Sequence, residues 1–151
     1  MKKVLRFTLM AALAILISLP SCKKSDDPKP EDLIVGRWKI TYAKIDGYKE
    51  EELEGEVWSF KDNGKFTGCL EEEDEEIDCN WILNGNELVL KGGDLEYSEP
   101  GYSVEAVITL DIEKLDNKEL IVSGKAKVEY YEEGYGSETE SIKVSYELMK
   151  K

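Results

Sequence analysis

There is no histidine anywhere in these 151 residues. That removes the commonest general base and metal ligand among side chains, and it weakens any catalytic reading from the outset. Carboxylates are plentiful, with 33 Asp and Glu against 20 Lys and Arg. They fall on loops and outward strand positions, however, and no pair is set in contrasting environments as acid–base catalysis requires. The formal charge of −13 argues against nucleic acid as a partner. No cofactor motif is present, so the chain reads as a non-enzyme without a cofactor. Cysteine is scarce, at three residues. Long apolar runs are also lacking: Phe7 to Leu19 is the one extended stretch, and its thirteen residues fall short of the roughly 20 needed for a membrane-crossing helix.

The N-terminus instead has the form of an export signal. Lys2, Lys3 and Arg6 supply a basic head, and the apolar stretch behind them is within the roughly 7–15 residues of a secretory leader. No A-x-A-like cleavage site follows it. Leu19-Pro20-Ser21-Cys22 resembles the bacterial lipobox, with Pro20 a less usual choice. The resemblance implies that residues 1–21 are a lipoprotein signal peptide, helical in the membrane, and that Cys22 is the first mature residue and carries the acyl chains. Stable anchoring requires more than one chain, because a single myristoyl-length chain holds only marginally. The other reading is an ordinary secreted protein in which Cys22 is incidental.

Residues 22–32 follow as a flexible tether, "CKKSDDPKPED", in which two prolines favour extended backbone. Ser25-Asp26-Asp27 resembles signals that carry some bacterial lipoproteins to the cell surface; a plain solvated spacer is the alternative. The expected location is therefore the cell envelope, lipid-anchored to the outer membrane, on its periplasmic or surface leaflet. The membrane is a partner through the anchor. Removing the leader takes away three positive charges and no acids, so the formal charge goes from −13 to −16.

Residues 33–151 are enough for one hydrophobic core and too few for two. Their apolar periodicity is two. Val104, Ala106, Ile108, Leu110 and Ile112 alternate with mainly polar neighbours, as do Leu120 to Tyr130 and Ile142 to Leu148. Asn63-Gly64 between apolar-aromatic stretches is a strong hairpin signal, expected as a primed turn. Eight strands are expected near 35–46, 55–61, 65–71, 77–83, 87–92, 102–114, 119–131 and 140–149. Short connections make this an antiparallel up-and-down meander. With no helix to cover the apolar face, the sheet is expected to curl into a barrel in which the first and last strands pair. A two-sheet sandwich would require crossover connections.

The order of motifs supports a family resemblance. "DLIVGRWKITYAKIDG" contains Gly36 and Trp38 in a Gly-x-Trp arrangement; "VWSFKDNGKFTG" follows as an aromatic strand and turn, and "NWILNGNELVL" after it. This resembles bacterial lipocalin-like lipoproteins over most of residues 32–149, although the C-terminal helix of the larger secreted lipocalins is missing. The resemblance implies a cup with Trp38 at its closed end and one small apolar or amphipathic ligand inside.

Alternation places Trp38, Ile40 and Tyr42 inward from the first strand and Trp58 and Phe60 from the second. The candidate ligand-binding interior is Tyr42, Trp58, Phe60, Trp81, Ala106, Gly124, Ala126 and Tyr146. Ala106, Gly124 and Ala126 are small residues that either mark a void or make room for Trp58, Trp81 and Tyr146. Cys69 and Cys79 form an even pair in an exported protein and are expected to be disulfide-bonded. Their alternation conflicts, so a bulge at Gly68 is expected as well. The acids Glu71 to Glu76 between them lack the D-x-[DN]-x-[DN]-G spacing of a calcium loop and read as a solvated tip or a weak cation site. Two functions remain: a binder of a small apolar or amphipathic ligand, or an accessory protein with a filled core that acts through loops such as Glu71 to Glu76 or Glu132 to Glu138.

Overall fold

The computed structural model describes residues 27–70 and 76–151. The leader, Cys22 and Glu71–Glu75 lie outside these residues.

One helical turn, α1 (Pro30–Ile34), precedes nine strands: β1 (Gly36–Ile45), β2 (Tyr48–Lys49), β3 (Val57–Phe60), β4 (Lys65–Gly68), β5 (Ile77–Asn84), β6 (Glu87–Glu99), β7 (Tyr102–Leu115), β8 (Glu119–Glu132) and β9 (Gly136–Lys150). Every neighbouring pair in the meander is antiparallel, and β1 also pairs with β9. The sheet is therefore a closed eight-stranded barrel made of β1 and β3–β9. Closure follows from the alternation: each strand has one apolar face, and curling hides all of them without exposing an edge. β2 is a short addition that folds back on β1 through Asp46-Gly47, both with positive φ. An Asp-Gly step is a hairpin signal in its own right.

Pro30, expected to stiffen an extended spacer, instead opens α1, where its missing N–H is no loss. The helical turn seals one end of the barrel. Ile34 is fully buried, the Trp38 indole Nε1–H donates to the Ile34 carbonyl at 2.7 Å, and Lys150 Nζ donates to the Leu33 carbonyl at 2.8 Å while lying 5.0 Å from the centre of the Trp38 ring. Leu53 and Leu70, both buried, belong to the same core from the other end.

The connection after β3 is not the primed turn expected. Gly64 N–H donates to the Lys61 carbonyl and Lys61 N–H to the Lys65 carbonyl, and only Gly64 of the Asn63-Gly64 pair has positive φ. This is the three-residue pattern of a type I turn followed by a left-handed glycine.

Strands β6 to β9 run well beyond the barrel. Gly92 and Gly93, with φ of 72° and 62°, let β6 leave β5, and a Cβ on Gly93 would lie 2.2 Å from the Asp78 carbonyl oxygen. Asp78 N–H donates to Asp94 Oδ2 at 2.6 Å across this divergence. Beyond it, residues 94–106 and 127–141 continue as a four-stranded distal sheet with exposed edges on β6 and β9. The apolar pattern had suggested ends at residue 92 for β6 and 140 for the start of β9. The strands extend further because cross-strand backbone pairing continues where neither face is buried enough to leave a sequence pattern.

Candidate functional site

The barrel interior, the expected ligand site, is occupied by side chains. Trp58, Phe60 and Phe66 are buried together with Tyr146, whose ring centre is 4.6 Å from that of Trp58. Phe66 lies 5.4 Å from Trp58 and 5.1 Å from Phe60, both edge-on, which is the favoured arrangement for aromatic quadrupoles. The polar tips are all satisfied. Trp58 Nε1–H donates to the Cys69 carbonyl at 2.8 Å and the Tyr146 hydroxyl to the Leu70 carbonyl at 2.9 Å. Among the described residues no buried side-chain polar atom lacks a partner. Leu88, Leu90, Leu110, Leu120, Val122 and Leu148 complete the packing.

The expected lining residues divide accordingly. Trp58, Phe60, Ala126 and Tyr146 do face inward, but as packed core. Trp81 is half-buried at the rim, its indole Nε1–H donating to the Lys61 carbonyl and its ring edge-on to Phe60. Tyr42 does not line the interior. β1 carries an extra residue between Ile40 and Tyr42 in its pairing with β9, so Tyr42 stands opposite the exposed Glu147 and Ala43 takes the inward place opposite Tyr146. One inserted residue reverses the faces of everything after it. Gly124 leaves no void: a Cβ there would lie 2.0 Å from the Thr109 carbonyl oxygen and 2.8 Å from Leu110 Cα, so the space is filled by the backbone of β7. Ala106 is half-buried opposite Val128, where the barrel gives way to the distal sheet.

The expected disulfide is also absent. Cys79 faces inward opposite Phe66, whereas Cys69 lies three residues past Phe66 on the other face, its Sγ 3.8 Å from Glu56 Oε2. No disulfide joins them. Three residues of strand separate the two positions by about 10 Å, beyond the reach of a disulfide. Nor is there a bulge at Gly68, which pairs in regular register with Ile77. Gly68 is needed for space, because a Cβ there would lie 2.6 Å from Trp58 Cδ1. Burial pushes the Cys79 thiol up to about 12, so it is a poor thiolate and a poor nucleophile at neutral pH.

The distal sheet is different in character. Residues 94–106 and 127–141 hold nine acids and one base, Lys127, and Tyr97 and Tyr131 are among the most exposed large side chains, as is Tyr135 in the loop between β8 and β9. Its inner face continues the inner face of the barrel. One row runs Tyr97–Val104–Tyr130–Glu138 across the four strands, and the next runs Glu99–Tyr102–Glu132–Gly136. The Tyr97 hydroxyl donates to Glu99 Oε2 at 2.9 Å, which holds its ionisation above the ordinary phenol value. On the outer face Glu96, Glu105 and Glu129 stand directly opposite one another in an open cleft of about 410 Å³. Sequence reasoning offered Glu132 to Glu138 as a working loop but missed the sheet it belongs to, although Pro100-Gly101 between Tyr97 and Tyr102 is a turn signal that could have located the β6–β7 hairpin. Among the described residues, no group of acidic or sulfur side chains is arranged to hold a metal ion.

The fold and this surface define a closed antiparallel β-barrel with a projecting acidic, tyrosine-bearing sheet. Comparison with protein-family models, curated proteins and solved structures finds no match to the chain.

Proposed function

We propose that this protein is a lipocalin-like envelope lipoprotein, anchored at the outer membrane through lipid on Cys22, and that it works as a non-enzymatic interaction module. In this reading the barrel is a rigid mount and the distal sheet is the working surface. The observation that carries the proposal is the filled interior, where Trp58, Phe60, Phe66 and Tyr146 occupy the space that a lipocalin-like cup would offer a ligand. The raised thiol of Cys79 and the lack of histidine support the non-enzymatic part.

A thermal-shift screen against fatty acids, bile acids and sterols tests the choice between surface and interior. A ligand at 100 times its Kd stabilises a native state by about 2.7 kcal/mol, which raises the Tm of a domain of this size by several degrees. The expected result is no shift with any of these classes. A saturable shift would return the function to the barrel interior. Incorporation of labelled palmitate, lost in Cys22→Ala, checks the anchor.

A further inference from the structure

We infer that the inner face of the distal sheet docks an extended, Lys/Arg-rich segment of a partner protein; this rests on the surface reading above and adds the chemistry of the partner. Three features of the sheet converge on that occupant. The first is a partly exposed aromatic face. Tyr97, Tyr102 and Tyr130 share it with Val104 and Val128, and the rings of Tyr97 and Tyr102 are 6.2 Å apart. Tyrosine presents large, stiff contact area at a small entropic cost, and its ring attracts a cation placed over it.

The second feature is charge placement. Carboxylates sit beside the rings on the same face: Glu99 and Glu132 flank Tyr102 across the strands, and Glu138 lies opposite Tyr130. A guanidinium stacked on a ring here would have a carboxylate within reach for a bidentate pair, a geometry that suits arginine. With nine acids and one base in the whole sheet, an anionic or second like-charged partner is repelled. A second copy of this chain carries the same charge and is disfavoured for that reason.

The third feature is a strand edge that is unpaired among the described residues. β9 is exposed on both faces from Gly136 to Ser141, whereas β1 pairs only with Val144 and beyond. Its sequence Ser137-Glu138-Thr139-Glu140-Ser141 places both glutamates on the inner face. An incoming strand pairs backbone to backbone at such an edge, with side chains for the inner face recurring every second residue, about 6.8 Å apart. Basic residues at that spacing would meet Glu138 and Glu140 as cross-strand pairs of opposite charge. Acids along an edge keep it from pairing with its own kind, and they leave it open to a cationic strand.

The test is a fluorescence-anisotropy titration of the lipid-free full domain with a labelled ten-residue peptide of alternating arginine and valine. Saturable binding that weakens with salt is expected. Glu138→Gln with Glu140→Gln is expected to weaken it about tenfold, Thr139→Pro to weaken it by blocking the edge, and Tyr97→Ala with Tyr130→Ala to weaken it with no change in charge. Glu31→Gln with Asp62→Asn, which removes two exposed charges at the far end of the barrel, is expected to leave affinity within about twofold. Equal losses from the two charge-neutralised variants would mean diffuse attraction and overturn the docking site. Equal binding of an alternating threonine–valine peptide would overturn the cationic partner while leaving the surface reading intact. A lipophile shift in the thermal screen would overturn the surface reading itself. Circular dichroism confirms that each variant is folded.

Discussion

The distal sheet is built from four of the barrel's eight strands, β6 to β9, yet the two regions are held together by different forces. Inside the barrel, each inward residue of these strands meets side chains from across the lumen: Leu88, Leu90, Leu110, Val122 and Leu148 are buried beside Trp58 and Phe60. In the distal sheet the same alternation continues, but its inward residues are exposed or half-buried, and the strands are held by backbone pairing and by contacts between neighbours on one sheet. The first region derives its stability from apolar burial; the second derives its from the barrel to which it is fixed. A small antiparallel sheet without a covered face is marginal on its own. The difference separates two tasks, with the barrel supplying rigidity and the distal sheet an exposed surface that the barrel has no need to keep apolar.

Substitutions can break or sharpen this contrast. Trp58→Ala is expected to have the largest effect, about 3–5 kcal/mol lost in urea denaturation, whereas the aromatic truncation Tyr97→Ala in the distal sheet should change stability by less than about 0.5 kcal/mol. Similar losses at the two sites would mean that the two regions share one core. Gly124→Ala forces a methyl group against the backbone of β7 and is expected to cost about 1–3 kcal/mol, the opposite of what filling a void would do. A gain in Tm would show that the barrel holds a cavity there.

Smaller effects sharpen the picture. Tyr146→Phe leaves the Leu70 carbonyl without its buried donor and is expected to lose about 1 kcal/mol by the same denaturation measurement. Glu105→Lys replaces the middle member of the opposed row Glu96–Glu105–Glu129 with an opposite charge and is expected to stabilise by about 0.2–1 kcal/mol. Loss of stability in that variant would show that the row is not under repulsive strain. Amide hydrogen exchange should separate the regions without mutation: amides of Glu96–Glu99 and Ser137–Thr139 are expected to exchange through local opening well before those of Val122 or Leu148.

The barrel was legible because burial of one face leaves a period of two in the sequence, and Val104 to Ile112 or Ile142 to Leu148 could take hardly any other form. Its closure, with β1 against β9, followed from having eight half-apolar strands and no helix to cover them. The inward set was legible only as far as the alternation ran unbroken. It failed at Tyr42, where the extra residue in β1 is a matter of register between β1 and β9, and neighbouring residues carry no sign of it. The disulfide failed for a related reason: Cys69 and Cys79 are close in sequence, but the regular β4–β5 register puts them on opposite faces. The distal sheet was the least legible part. Its residues are wet on both sides, so Glu132 and Glu138 read as loop when they are in fact strand.

What the sequence determined alone is the local chemistry of each strand: which residues alternate, where glycine and proline force turns, and that one apolar face must be hidden. Those are short-range properties, set by backbone sterics and by the transfer of side chains out of water. The tertiary structure decided what occupies the lumen and which acids and tyrosines share a face, because both depend on pairing register and on strands far apart in the chain. Trp58 meets Tyr146, and Tyr130 meets Glu138, only once the sheet has closed and extended.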